Sequence, residues 1–226
     1  MQKKKFGTRQ LTVMAMMTAI AFVVTLICHY VMPPIVEQPP LKLDLKDSIV
    51  VMAGFMLGPL PALCITVVVS VIEMLTISST GPIGLLMNVI STCAFACVAS
   101  FVYKKVHNKN GAVIALIIGV VAMIVAMLLW NYIATPMYTG APRAVVAKML
   151  PTVFLPFNAI KGGINMAVTL LIYKPLSLAL KKSNLLPSGA AAPAGGKRRL
   201  SVGIYILGIV LLVSCVLFAL ALAKVI

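Results

Sequence analysis

Long apolar runs separated by short polar segments dominate this sequence. Most of the runs have the roughly 20 residues that an α-helix needs to cross about 30 Å of hydrocarbon. The pattern therefore predicts an all-α membrane protein with several transmembrane helices. The apolar runs lie at about 10–32, 48–57, 60–77, 82–103, 112–135, 150–173 and 201–224.

The second run, at 48–57, is too short to cross a bilayer as a helix. It ends at Gly58-Pro59, with Pro61 close behind, and these residues interrupt helices. A half-length helix is tolerated at membrane depth only where protein or a cavity covers its ends. The short run therefore indicates a bundle with an interior function rather than a simple anchor.

A segment rich in proline, glycine and alanine separates the last apolar run from the others. Residues 183–200 have the composition of a flexible tether. We therefore divide the chain into a six-span membrane bundle at 1–182, a linker at 183–200 and an additional transmembrane helix within 201–226. This last helix lies outside the bundle in sequence, and its role is open: an added anchor, a partner contact or an obstacle to movement.

Composition and charge support a membrane location. Of the 226 residues, 62% are hydrophobic and 10% are charged, whereas a soluble domain has about 25% charged residues. Lys and Arg number 19 against 4 acidic residues, and the large basic clusters flank apolar runs. That placement is typical of cytoplasmic loops and not of a nucleic-acid interface. It predicts a cytoplasmic N-terminus and, if residues 201–224 span, a C-terminus on the outer side.

Motifs for catalysis or metal binding are missing from the sequence. It contains no HExxH, no GxSxG, no P-loop and no paired carboxylates of a catalytic type. The cysteines lie in apolar runs, which favours packing over disulfides or metal ligation. We therefore expect a protein that is not an enzyme and that holds neither a cofactor nor a metal. The cysteines are Cys28, Cys64, Cys93, Cys97 and Cys215.

The most informative polar residues lie in the sixth span. Asn158 and Lys161 are three residues apart and share a helix face, and Asn165 continues near that face. A lysine in hydrocarbon costs about 2.5–3.5 kcal/mol on insertion scales, so it indicates a functional site. The alternatives are snorkelling to the outer interface or pairing with a structural acid, for which Glu73 in the third span is one possibility.

Two other segments place polar groups on the predicted outer side. The loop at 33–47 is stiffened by prolines and then alternates apolar and charged residues from Leu41 to Asp47, with the period of an extended strand. It is either a plain interfacial loop or a lid over an outer cavity. Asn131 ends an apolar run between Trp130 and Tyr132, which suit an interfacial aromatic belt, and its amide needs partners from backbone or ligand.

Small and amide side chains elsewhere have two interpretations each. Asn88, in the fourth span, serves helix–helix contact or a ligand. Ala15 and Ala19, with Thr18 and Ala21, form a small-residue face on the first span, which suits packing within the bundle or docking of a partner subunit. A few amides and one lysine over an apolar bundle suit an uncharged, flat, amphipathic ligand.

Several of these segments together resemble a known family. The chain is similar to the substrate-binding S components of energy-coupling factor (ECF) vitamin transporters, in particular the riboflavin-binding members. The resemblance covers about residues 1–182, and its most specific motif is Pro156-Phe157-Asn158-Ala159-Ile160-Lys161-Gly162. The other segments that carry it are the LKLDLKD loop at 41–47, Phe55-Met56-Leu57-Gly58-Pro59, Gly81-Pro82-Ile83-Gly84 and Asn131-Tyr132.

The resemblance implies a function and a set of site residues. It implies a six-helix bundle that binds riboflavin near the outer face of a prokaryotic cell membrane and associates with a membrane coupling subunit and two ATP-binding-cassette ATPases. Ala15 and Ala19 match the docking surface for the coupling subunit. Another vitamin, or a membrane subunit without a transport role, remains the alternative. The implied ligand-binding residues are Leu41, Lys42, Leu43, Asp44, Asn131, Asn158 and Lys161, with Asn88 and Tyr132 as weaker candidates.

Overall fold

The computed structural model describes residues 7–32, 34, 41–78, 80–106, 111–182 and 202–222. In this part of the chain the secondary structure is almost entirely helical. Two π-helical segments, Cys93–Cys97 and Leu150–Phe154, join α4 to α5 and α7 to α8 without a break. The helices are α1 (Thr8–Val31), α2 (Lys46–Leu57), α3 (Pro59–Thr76), α4 (Gly81–Thr92), α5 (Val98–Lys105), α6 (Gly111–Thr139), α7 (Arg143–Met149), α8 (Leu155–Lys182) and α9 (Val202–Leu222).

The predicted all-α membrane architecture is confirmed. In the described part of the chain, 6 helical units are long and apolar enough to cross a membrane, and α9 supplies one of them. The other five are α1, α3, the joined α4–α5, α6 and the joined α7–α8. With α2 they form the body of the molecule, so the chain consists of a bundle of the expected size plus one further helix.

The short second run forms α2, which has 12 residues and lies inside the bundle. Every residue from Lys46 to Met56 is buried, because α1, α3, α5 and α8 surround this helix. Gly58 ends it with a φ of 103°, in the region that glycine adopts readily, and Pro59 opens α3 directly afterwards. The Gly-Pro pair therefore makes the tight turn that returns the chain to the bundle.

Two predicted boundaries are wrong. The apolar runs predicted at 112–135 and 150–173 end and begin at the wrong places, because α6 continues to Thr139 and α7 occupies Arg143–Met149. Pro151, in the π-helical segment, has no N–H to donate to the preceding turn, which suits a local change of helical register there. The alternating segment at 41–47 is not extended throughout, since Lys46 and Asp47 already belong to α2.

The additional helix α9 packs along α8. Small residues allow the close contact: a Cβ on Gly163 of α8 would lie 2.5 Å from the Sγ of Cys215, and a Cβ on Gly208 of α9 would lie 3.2 Å from Leu171. The predicted linker, residues 183–200, lies outside the described residues. The helix α9 packs on α8, whereas α1 packs on α2 and α3. The two helices α1 and α9 therefore lie on different sides of the bundle.

The small-residue face of α1 is only partly as expected. Ala15 and Ala19 are exposed and face away from the bundle, whereas Ala21 is fully buried in the core and Thr18 is half-buried. Ala21 lies about 160° around the helix from Ala19 and about 120° from Ala15, which explains its different environment. The exposed surface is therefore the pair Ala15 and Ala19.

Candidate binding site

A cavity lies between the segment 41–45 and the helices α4, α6 and α8. Its volume is about 430 Å³, counting the space that is open to solvent at its mouth. On the three helices, Ser91, Asn131 and Lys161 each lie three or four positions after the other lining residues and so share a face with them. The cavity is lined by Leu41, Lys42, Asp44, Met87, Asn88, Ser91, Met127, Asn131, Phe157, Asn158 and Lys161.

Most of the residues that the sequence singled out meet in this cavity. Two do not line it. Tyr132 is 42% exposed and faces outward, because Asn131 faces inward and the next residue of a helix points about 100° away. Leu43 is turned from the cavity into an apolar cluster with Ile160 and Ile164 of α8.

Lys161 holds its charge in an ion-paired interior rather than at the membrane interface. Its Nζ lies 3.0 Å from Oδ2 of Asp44 and 3.5 Å from Oδ2 of Asp47, and the residue is 6% exposed. Burial alone would raise the pKa of Asp44, but the charges of Lys161 and Lys46 outweigh burial and hold the pKa below its ordinary value. Asp44 is therefore a carboxylate at neutral pH, and snorkelling of Lys161 is ruled out.

Glu73, the partner suggested for Lys161, pairs with Lys46 instead. Oε2 of Glu73 accepts hydrogen bonds from Lys46 Nζ at 2.6 Å and from Asn88 Nδ2 at 2.8 Å, and Oε1 accepts one from Thr25 at 3.2 Å. The carboxylate thus connects α1, α2, α3 and α4. Because Asn88 lines the cavity, Glu73 also fixes the orientation of one of its amides.

Asn165 attaches the segment 41–45 to α8. Its Nδ2 donates to the backbone oxygen of Asp44 at 2.8 Å, and its Oδ1 accepts from the backbone N–H of Ser48 at 2.9 Å. Asp47, fully buried beside it, accepts a hydrogen bond from Thr92 Oγ1 at 2.6 Å. Sequence reasoning placed Asn165 only near the face of Lys161. The signal for the role of Asn165 was its polar side chain within an apolar span, four positions after Lys161.

The two amides from α6 and α8 are held by their own helices. Nδ2 of Asn131 donates to the backbone oxygen of Met127 at 2.8 Å, and Nδ2 of Asn158 donates to that of Phe154 at 2.7 Å. Each amide nitrogen carries two hydrogens, so each retains one N–H. Oδ1 of Asn131 accepts a hydrogen bond from Thr135 Oγ1 at 3.4 Å and has a second lone pair. The cavity therefore offers both donors and acceptors in fixed orientations.

Polar groups without protein partners lie at the same place. Asp44 Oδ1 and Ser91 Oγ, which belong to residues that line the cavity, are buried and have no hydrogen-bond partner among the described residues. Buried polar atoms are usually satisfied, so these two are suited to contacts with a ligand. The apolar walls come from Leu41, Met87, Met127 and Phe157. The cavity thus combines apolar walls with polar groups at its edges.

The fold and the cavity define a multi-pass membrane protein with a candidate binding cavity edged by polar groups. The family model for the substrate-specific component of ECF transporters matches residues 9–173, and the chain belongs to this family. The family resemblance seen in the sequence is therefore confirmed.

Individual relatives agree with this assignment. The chain is 29% identical to the riboflavin transporter FmnP of Bacillus subtilis over 179 residues, which are 73% of this chain and 90% of that protein. It is 29% identical to the riboflavin transporter RibU of Staphylococcus aureus over 181 residues, 77% of this chain and 93% of that protein. A solved S component of a bacterial ECF transporter superposes with a TM-score of 0.64 at 29% identity, covering 76% of this chain and 98% of that one.

Proposed function

We propose that this chain is the riboflavin-binding subunit of an ECF-type importer in a prokaryotic cell membrane. The observation that carries the proposal is the cavity, where amides and a lysine stand at the edges of apolar walls. The similarity to riboflavin transporters over nearly their whole length supports the same vitamin for this chain.

The chemistry of the cavity suits riboflavin. The vitamin is uncharged near neutral pH, and its tricyclic ring packs against Leu41, Met127 and Phe157. Its ring carbonyls accept hydrogen bonds from Lys161 and from the remaining amide N–H groups, and its ring N–H donates to a carboxylate or amide oxygen. Nanomolar affinity corresponds to about −12 kcal/mol. Prearranged amides and ion pairs favour such affinity because little ordering is left to the binding step.

Import requires partners that this chain does not contain. This chain associates with a membrane coupling subunit and with two ATP-binding-cassette ATPases. The ATPases supply ATP hydrolysis, since the sequence of this chain has no P-loop. The exposed Ala15 and Ala19 on α1 are suited to close contact with a helix of the coupling subunit. The distribution of Lys and Arg favours a cytoplasmic N-terminus, a C-terminus on the outer side, and capture of riboflavin from outside.

The purified full-length protein in detergent is expected to bind one riboflavin per chain with nanomolar affinity. The absorbance between about 350 and 550 nm detects riboflavin that copurifies, and quenching of flavin fluorescence measures the affinity of the unloaded protein. Riboflavin is compared with thiamine and biotin in the same assay. Failure of quenching at micromolar riboflavin, with tight binding of another vitamin, would assign a different substrate to the same family member. Failure with all of them would favour a subunit without a transport role.

Bulky residues on α1 are expected to separate binding from transport. In Ala15→Leu/Ala19→Leu, riboflavin affinity in detergent should be unchanged, because both side chains face away from the bundle. Uptake of labelled riboflavin by cells that supply the other subunits should fall at least about tenfold, since small residues are needed for close helix contact. Ala221→Leu, at an exposed position of α9, is the matched control. Normal uptake by the α1 variant would exclude this face as the docking surface.

A further inference from the structure

The segment 41–45 separates the cavity from the additional helix α9. Leu41, Lys42 and Asp44 line the cavity. Leu43 and Leu45 do not line it and pack instead against an apolar cluster built on Ile160 and Ile164 of α8 and Ala219 of α9, and Leu43 also packs against the cluster of Leu41 and Phe157. The segment therefore contributes side chains both to the cavity and to the apolar cluster that α8 and α9 share.

The C-terminal half of α9 completes that cluster. Leu212 and Cys215 join Ala219 in it, and Cys215 lies at the closest approach to Gly163 of α8. The first half of α9 packs through Ile204 and Leu211 against the main core of the bundle, and Gly208 lies against Leu171. The helix is thus seated along its length and is not attached only through the linker.

The part of the chain that matches the family ends at residue 173, before α9 begins. In the matched part alone, the cluster around Leu43 and Leu45 would face lipid where Ala219, Cys215 and Leu212 now lie. Lipid chains are fluid, whereas a packed helix presents a fixed surface with close van der Waals contact. The helix α9 therefore adds a rigid outer wall behind the segment that borders the cavity.

We propose that α9 is a brace for the segment 41–45 and sets how long the bound vitamin stays in the cavity. The inference rests on the proposed function for the identity of the ligand, but not for the contact itself. A ligand that leaves past this segment must displace Leu43 and Leu45 from the cluster, and α9 resists that displacement. The helix contributes no residue to the cavity lining, so its effect falls on the dissociation rate and leaves the polar contacts of the ligand unchanged.

The first test displaces α9 by a single side chain in the full-length protein. Gly208→Leu places a leucine where a Cβ alone would already lie 3.2 Å from Leu171 and 3.6 Å from the backbone oxygen of Ala167. We expect the dissociation rate of riboflavin to rise by about tenfold, a change typical of interface variants that act on release. Gly203→Leu makes the same substitution on the same helix at an exposed position, and riboflavin should dissociate from it at the wild-type rate. Equal dissociation rates of riboflavin in Gly208→Leu and Gly203→Leu would overturn the proposal that α9 is a brace.

The second test fixes α9 in place. Gly163→Cys is suited to a disulfide with Cys215, because the Cβ–Cβ separation of 4.0 Å lies within the range of about 3.5–4.5 Å found in disulfides. Oxidation should slow riboflavin dissociation relative to the same reduced sample, and reductant should reverse the change. Gly163→Cys/Cys215→Ser controls for oxidation elsewhere. A disulfide that forms in full and leaves the dissociation rate unchanged would also overturn the proposal.

A measurement without vitamin separates this proposal from the proposed function. Hydrogen exchange of the backbone amides in 41–48 reports opening of the segment directly. Exchange should be faster in Gly208→Leu than in Gly203→Leu, and slower in oxidised than in reduced Gly163→Cys. If riboflavin does not bind to the wild type but these differences appear, the brace stands and the ligand is wrong. If riboflavin binds to the wild type and the exchange rates are equal, the ligand is right and the brace is wrong.

Discussion

Replacing Lys161 with methionine is expected to weaken riboflavin binding by about ten- to a hundredfold, the value of one or more hydrogen bonds to a charged group. Lys161 lines the cavity, and its Nζ lies 3.0 Å from Oδ2 of Asp44, which also lines it. The substitution removes the donor and releases the segment 41–45 from one of its attachments to α8. The change is measured by fluorescence titration in detergent, beside Lys148→Met, which removes a lysine from an exposed position of α7.

Loss of folding has to be separated from loss of binding in this variant. Without Lys161, the carboxylates of Asp44 and Asp47 lack a nearby positive charge that now pairs with both. Lys161→Met/Asp47→Asn removes one of these charges without restoring the donor, and Asp47 does not line the cavity. We expect the double variant to recover thermal stability while its affinity stays low. Recovery of affinity together with stability would show that Lys161 acts on the fold and not on the ligand.

Replacing Lys46 with methionine is expected to lower the free energy of unfolding by about 3–5 kcal/mol, as for other buried ion pairs that lose one partner. Nζ of Lys46 lies 2.6 Å from Oε2 of Glu73, and the two side chains are 2% and 3% exposed. Removal of the lysine leaves a buried carboxylate that connects four helices. The unfolding transition in detergent micelles measures the loss, and Lys104→Met, at an exposed position of α5, should change it by less than about 0.5 kcal/mol.

A double-variant cycle identifies the origin of this loss. In Lys46→Met/Glu73→Gln the uncompensated charge is gone, and much of the stability should return, because a buried pair contributes less than the cost of breaking it on one side. Additive losses in the double variant would mean that the two side chains act independently. A single Lys46→Met variant with wild-type stability would contradict the ion pair itself.

The sequence by itself determined the membrane architecture. Span length is a local property, because each apolar run must match the thickness of hydrocarbon on its own. The interruption at Gly58-Pro59 is equally local, and it correctly marked α2 as a half-length helix inside the bundle. Candidate residues were also recognisable, since a polar side chain within an apolar run is costly without a partner. Asn131, Asn158 and Lys161 were found in this way, and all three line the cavity.

Only the tertiary structure decided which of these groups face one another. Lys161 pairs with Asp44 and Asp47, and Glu73 pairs with Lys46, because pairing depends on where separate helices cross. The alternation at 41–47 predicted an extended segment throughout and was wrong at Lys46, where burial among four helices accompanies an early start of α2. Nothing in the almost uniformly apolar sequence of α9 indicated which helix of the bundle it packs against. Its contact with α8 depends on close approach at Gly163 and Gly208, which only the packed structure reveals.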